Sequence, residues 1–223
     1  MSVGRQLPVT DAGMAARLAD GAAELGLALQ QSQVQTLIGF LRLIERWNAT
    51  YNLTAVREAS AMVDHHLLDC LAAAAALIGH RAQASTRHLL DVGSGAGLPG
   101  LVFAVLLPDS QVVCVDSVGK KAAFITQAAA TLGIANAVAV HARVETLRGT
   151  EYDVITSRAF ASLEDFVAST RQLLADNGEW MALKGKDPAG ELASLSGVSA
   201  AVERIHVPAL AAQRCVVWMQ PSR

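Results

Sequence analysis

The stretch His88-Leu-Leu-Asp-Val-Gly-Ser-Gly-Ala-Gly-Leu-Pro-Gly100 decides how this chain is read. An apolar strand runs into three glycines, Gly93, Gly95 and Gly97, and a helix begins near Pro99. Proline suits a first helical turn, whose N–H groups have no partner inside the helix. Glycine takes positive φ freely and lets a ligand approach the main chain with no Cβ in the way. The free N–H groups of a helix start then favour a carboxylate or phosphate. Outward from this loop, strand-like runs at 88–92, 111–116, 137–141, 152–157 and 179–184 alternate with helix-like runs at 98–107, 118–132 and 163–176. Two further strands, 201–207 and 214–220, lie close enough for an antiparallel hairpin at the sheet edge. The expected fold class is α/β, a doubly wound and mostly parallel sheet with helices on both faces.

Before residue 88 the pattern changes to helical spacing. Val34, Leu37, Ile38, Leu41 and Ile44 form one apolar stripe on a helix to about residue 47. A second helix is expected over 60–78 and a third near 12–27. The expected division is therefore a helical extension, 1–87, packed on a main domain, 88–223. The extension carries seven basic and seven acidic residues, so it is no basic arm. It serves either as a cap on the main domain or as a substrate-contacting element.

The whole chain of 223 residues has 52% hydrophobic and 17% charged residues, enough for a large core. Its 18 Lys and Arg against 20 Asp and Glu give a formal net charge of −2, which argues against attachment to nucleic acid by bulk charge. The longest apolar stretches, such as 67–79, read as too short to span a bilayer, and the N-terminus lacks the apolar core of a signal peptide. Cys70, Cys114 and Cys215 stand apart among apolar neighbours with no CxxC spacing, as buried thiols of a reducing cytoplasm do. Asp64, His65, His66 and Asp69 invite a metal reading. Adjacent histidines point about 100° apart on a helix, so they chelate poorly; they read as helix-start residues and no metal is expected.

The second strand ends at Asp116, where an acid accepts hydrogen bonds from ribose hydroxyls, so the loop predicts an adenosine-containing ligand. Residues 95–100 literally match GxGxxG, and a dinucleotide oxidoreductase must be weighed. Asp91, two residues before the first glycine, is typical instead of S-adenosylmethionine sites. Pro99 intrudes on a pyrophosphate loop, and only one nucleotide-binding unit is apparent. Gly119-Lys120 is no P-loop, lacking the upstream glycine and the following Ser or Thr. Ligands of open α/β sheets lie at the carboxyl ends of the strands, where Lys120, Lys121, Arg143, Arg158, Lys184 and Lys186 gather. Six of the eleven basic residues after position 88 thus share one rim, which suits a polyanion, and RNA is the reading preferred. Aromatic residues, 4% of the chain, are too few for a stacking platform.

Seven segments in order resemble the bacterial small-subunit ribosomal RNA methyltransferase G family, also called glucose-inhibited division protein B. They are Arg46-Trp-Asn-Ala-Thr-Tyr-Asn-Leu-Thr54, His66-Leu-Leu-Asp-Cys70, the loop Asp91 to Gly100, Asp116-Ser-Val-Gly-Lys-Lys121, Arg143-Val-Glu145, Ser157-Arg-Ala-Phe-Ala-Ser162 and Ala182-Leu-Lys-Gly185. The resemblance implies a class I, Rossmann-like methyltransferase fold, S-adenosylmethionine as donor, and methylation of a guanine N7 in 16S ribosomal RNA. It also implies that Gly93 and Leu98 line the cofactor loop, Val144 and Glu145 flank the adenine, and Arg158 reaches the cofactor's end of the pocket. Gly95, Gly97 and Asp116 complete the expected cofactor set.

Guanine N7 carries a lone pair and no proton, so a general base is dispensable and alignment does most of the work. A covalent cysteine route is rejected, since Cys114 lies within a buried strand. Asn48, Tyr51 and Asn52 either cap a helix or hold a flipped guanine by its edge. With Lys120, Lys121, Arg143, Lys184 and Lys186 they form the expected RNA set. Ranked below an RNA methyltransferase are a methyltransferase on a small molecule or protein, an S-adenosylmethionine-binding regulator, and an NAD-dependent oxidoreductase.

Overall fold

The structure, a computed structural model, describes residues 10–82, 86–158, 160 and 162–222. A seven-stranded sheet forms from β1 (His88–Val92), β2 (Gln111–Asp116), β3 (Ala137–His141), β4 (Tyr152–Ser157), β5 (Leu174–Lys184), β6 (Val198–Ile205) and β7 (Arg214–Pro221). Its order is β3-β2-β1-β4-β5-β7-β6, with the first five strands parallel and β7 antiparallel to both β5 and β6. The chain reverses its direction of winding between β1 and β4, where open α/β sheets place their ligands. The doubly wound sheet and its antiparallel edge hairpin are as expected. β7 lies inside and β6 forms the edge.

Side chains alternate across each strand and so feed two cores. One face buries Leu89, Val112, Val154 and Trp218 under α1 (Asp11–Glu24), α2 (Gln31–Tyr51), α4 (Asp69–His80), α5 (Gly100–Leu106) and α6 (Gly119–Leu132). The other buries Leu90, Val115, Ile155 and Trp180 under α7 (Leu163–Thr170), with Leu192 of the short α8 (Ala189–Leu192) packed alongside. The N-terminal helices share the first core rather than forming one of their own. Phe40 and Trp47 of α2 pack on Phe124 of α6, with ring centroids 6.4 and 5.3 Å apart.

Helix α3 (Ala59–Met62) continues through a π-helical turn at Val63–Leu68 into α4. Asp64, His65, His66 and Asp69 therefore sit inside a long helix, not at its start. The widened turn is marked by the Asp69 N–H donating to the Asp64 carbonyl, five residues back. The continuous helix Ala59–His80 has 22 residues and a most apolar window of mean hydropathy 1.4, so it is long enough to cross a bilayer. That length corrects the reading of short apolar stretches only; 72% of the window is buried against the rest of the chain, as in a core helix.

Helix α2 also runs past residue 47 to Tyr51, ending at Asn52 in the left-handed region (φ 49°). The helix expected over 163–176 stops at Thr170 instead. The Thr170 hydroxyl donates to the Phe166 carbonyl (2.6 Å) and accepts from the buried Trp180 indole N–H (2.8 Å), and β5 already starts at Leu174. Between Tyr152 and Val154 the β4–β5 register shifts, so the first residues of β5 bulge and hide the strand from its pattern.

The loop itself is closely packed. A Cβ on Gly100 would stand 2.4 Å from the Cys114 Sγ and 2.8 Å from Asp91 Oδ2. Gly100→Ala is therefore expected to destabilise the fold by about 1–3 kcal/mol, as overpacking of a full core does. Urea unfolding measures it, and an unchanged midpoint would show that β1 and α5 separate freely.

Candidate active site

The strand-to-helix turn after β1 is held by two carboxylates. Asp91 is fully buried in β1, and its Oδ2 accepts from the Gly100 N–H (2.9 Å) at the start of α5. Burial pushes its carboxyl up to about 6. Asp116, at the end of β2, accepts from the Gly95 N–H through Oδ2 (2.9 Å) and from the Val118 N–H through Oδ1 (2.8 Å). Lys121 leans towards it at 3.7 Å. Gly93, Gly95 and Gly97 all have positive φ (68°, 59° and 80°), which the turn demands and only glycine takes without strain.

A cleft of about 230 Å³ opens over this turn, lined by Gly93, Asp116, Arg143, Val144 and Glu145 together with Ser117 and Phe160. Five residues expected from the sequence thus meet in one place. Gly95 is joined to that wall through Asp116. Leu98 is only 2% exposed and belongs to the core beneath the loop, and Gly97 packs beneath the loop against Leu101 and Ile125. A Cβ on Gly95 would meet nothing nearer than 3.9 Å, so the space above its backbone is open to a ligand.

A second cleft, of about 340 Å³, lies at the ends of β4, β5 and β7 and under the π-helical turn. His65, His66 and Asp69 come from the helix, Val56 from the preceding loop, Arg158 and Lys184 from the strand ends, and Arg214 from the start of β7. Asp69 accepts from Arg214 Nε (2.8 Å) and pairs with Arg158 at 3.4 Å. Burial opposes the Arg158 charge, but the Cys70, Asp69 and Asp91 side chains outweigh it and its pKa is raised. The His66 ring is buried, with Nε2 2.8 Å from the Thr54 hydroxyl. Burial first, and Arg158 second, push its imidazole down to about 4.

The single basic rim thus divides in two. Lys120, Lys121 and Arg143 follow β2 and β3 beside the first cleft. Arg158, Lys184 and Lys186 follow β4 and β5 on the other side of the turn. Lys184 is half-spent, bonded to Glu191 at 2.8 Å. Asn48 is turned inward: its side chain donates to the Val56 carbonyl (3.3 Å) and accepts from the Thr54 N–H (2.9 Å). That amide shapes the loop bordering the second cleft. Asn52 caps α2, and Tyr51, 40% exposed, packs on Trp47.

Sequence reasoning passed over Thr54, Arg214 and the burial of His66, and read Asp69 as a helix-start residue with no place in the site. The available signal was the insertion of Asp64, His65, His66 and Asp69 into an otherwise apolar helix, because buried polar groups need partners. Among the described residues no group of three or more His, Cys, Asp or Glu has the arrangement to hold a metal ion. Cys70, Cys114 and Cys215 are free and buried, with Cys70 pushed by burial up to about 12 and Cys114 also raised well above the usual thiol range by burial. Neither offers a thiolate for covalent chemistry.

Residues 33–216 match the family model for rRNA small subunit methyltransferase G. The chain belongs to that family. It is 51% identical over 222 residues to the ribosomal RNA small subunit methyltransferase G of Acidovorax ebreus (strain TPSY), covering 96% of this chain and 98% of that one. The protein of the same name from Methylibium petroleiphilum is 51% identical over 214 residues, covering 95% and 96%. The O-methyltransferase TomG of Streptomyces achromogenes, solved with S-adenosylmethionine, shares the fold with a TM-score of 0.59 at 13% identity over 92% of this chain and 96% of that one. So does a ribosomal protein L11 methylase from Lactobacillus delbrueckii subsp. bulgaricus, with a TM-score of 0.53 at 17% identity over 70% and 77%. The fold is that of a class I methyltransferase, and the cofactor of this methyltransferase is S-adenosylmethionine. The glycine turn fits that cofactor, since it offers open backbone at Gly95 beside a carboxylate at Asp116.

The two shifted groups titrate with opposite sign. The His66 ring stays neutral in the folded chain down to about 4 but takes a proton near 6.5 when unfolded. Its contribution to stability is full above about 6.5 and is lost as the pH falls to 4. The folded Asp91 carboxyl protonates at about 6 and the unfolded one near 3.8, so its contribution grows as the pH falls through 6. His66→Gln, which keeps a partner for Thr54, should therefore gain melting temperature relative to the wild type between pH 6.5 and 4.5. Calorimetry across that window checks it; parallel curves would contradict a buried neutral His66.

Proposed function

We propose that this methyltransferase methylates N7 of a guanine in 16S ribosomal RNA, with the cofactor in the first cleft and the guanine in the second. The observation that carries the guanine reading is the mixed lining of the second cleft. Arg158, Lys184 and Arg214 supply donors and Asp69 is an acceptor among them. Guanine presents an acceptor at O6 and donors at N1 and N2, so it complements both kinds of group at once. Its N7 has a lone pair and no proton. Asp69 lies between two arginines with lone pairs left only for accepting, and the buried His66 is a weak base, which suits a reaction that removes no proton in the transfer step.

Bound S-adenosylmethionine supplies a methyl group on a positively charged sulfur. Around it, Gly93, Gly95 and Gly97 shape the turn, with Leu98 anchoring it from below. Asp116 turns its remaining lone pairs to the ribose, while Val144 and Glu145 flank the adenine. Arg158 lines the second cleft, paired with Asp69 and near enough to Asp91 to feel its charge, and orients the groups that meet there. Residues 1–87 then act as more than a cap on residues 88–223, because they carry His66 and Asp69 into the acceptor cleft. Transfer depends on holding nucleophile and methyl in line and excluding water, for which the buried π-helical turn forms one wall.

Incubation with methyl-labelled S-adenosylmethionine and small ribosomal subunits lacking the modification tests this reading. Label in 16S RNA, followed by strand scission selective for 7-methylguanosine at one position, is the expected result. RNA-borne label that resists this scission would overturn N7 as the acceptor, and label on protein alone would overturn RNA as the substrate.

A further inference from the structure

Beyond the second cleft lies a larger groove of about 750 Å³, between the segment 186–192 and the β6–β7 hairpin. It continues the second cleft directly, since Ile205, Arg214 and Cys215 line both. Leu192, Val202 and Ile205 give it an apolar floor, and Lys186, Arg204 and Arg214 are the lysine and arginines along it. The carboxylate in its wall, Asp187, accepts from the Ala189 N–H (2.9 Å) and so caps α8. On a chain of net charge −2 this groove is locally cationic.

The cations differ in their commitments. Lys184 and Arg214, nearest the acceptor cleft, are paired with Glu191 and Asp69. Lys186 and Arg204 are exposed, and neither forms a salt bridge among the described residues. Two unpaired cations over an apolar floor are what an unpaired polynucleotide requires: phosphates take the charges and base faces lie on the apolar surface. A duplex keeps its base faces stacked inside and has no use for such a floor. The lining contains no Phe, Tyr or Trp, so bases there rest on aliphatic side chains and do not stack on rings.

We infer that the groove between segment 186–192 and the β6–β7 hairpin holds the single-stranded RNA that runs on from the target guanine, with Lys186 and Arg204 on its phosphates. The inference rests on the reading of RNA as substrate. The C-terminal hairpin then forms the outer bank of the RNA path.

The test uses the full chain with Lys186→Ala and Arg204→Ala combined, unmodified small subunits as substrate, and KM for the subunit followed against salt. Arg87→Ala, just before β1 at the opposite end of the sheet, is the control. Losing two phosphate contacts should flatten the slope of log affinity against log salt by about 1.4, at roughly 0.7 per contact on a single strand. KM at moderate salt should rise at least about tenfold, with kcat, cofactor Kd and melting temperature unchanged and Arg87→Ala behaving as wild type. A wild-type slope in the double variant overturns the groove, as does an equal loss in Arg87→Ala. So does cross-linking from a photoreactive residue at position 204 to a ribosomal protein in place of RNA. If the unmutated enzyme methylates no RNA at all, the RNA reading itself falls. If it methylates RNA and the slope is unmoved, only the groove assignment falls.

Discussion

The hydrogen bond from the Gly100 N–H to the buried Asp91 carboxylate is the constraint on which the rest of the site depends. It ties the end of β1 to the start of α5 across a turn whose glycines take left-handed conformations. Cys114 of β2 packs so closely that position 100 tolerates no Cβ. A carboxylate so buried is costly, and burial raises the Asp91 carboxyl to about 6. The turn it fixes puts Gly95 within reach of Asp116, and so sets the floor of the first cleft.

The same turn separates two clefts with different chemistry. On the β2 and β3 side the lining is a carboxylate, a short 3₁₀ turn and a glycine backbone. On the β4, β5 and β7 side it is an arginine pair held by Asp69, with a neutral buried histidine behind. The helical N-terminal segment supplies the latter two through its π-helical turn. That turn is locked by Thr54 on His66 and by Arg17 on Asp64 (2.6 Å). A wide turn buried among polar partners is a costly local structure, and such turns recur where function requires them.

Much of this was legible before the structure. Glycine spacing, the proline at the helix start and the acid ending β2 announced the turn, because each answers a backbone requirement that few residue types meet. The parallel strands were legible as continuous apolar runs. The start of β5 was not, because the bulge opposite Tyr152 breaks its alternation and the Thr170–Trp180 bond ends α7 through a contact distant in sequence. The second cleft was half legible. Arg158 and Lys184 stood out as cations at strand ends, whereas Asp69 looked like a helix-start residue and Arg214 like a strand residue. Their meeting depends on packing between segments 145 residues apart. Asn48 misled for a related reason: a buried amide that shapes a loop and one that grips a base have the same sequence.

The central claim is that cofactor and acceptor occupy separate clefts on either side of the glycine turn, with Arg158 in the wall of the second. A crystal structure with S-adenosylhomocysteine tests it most directly. The account predicts the adenine between Asp116 and Val144–Glu145, with the sulfur turned towards the cleft of Asp69, Arg158 and Arg214. Adenine seated in the groove beside α8, or a sulfur facing away from Arg158, would contradict it.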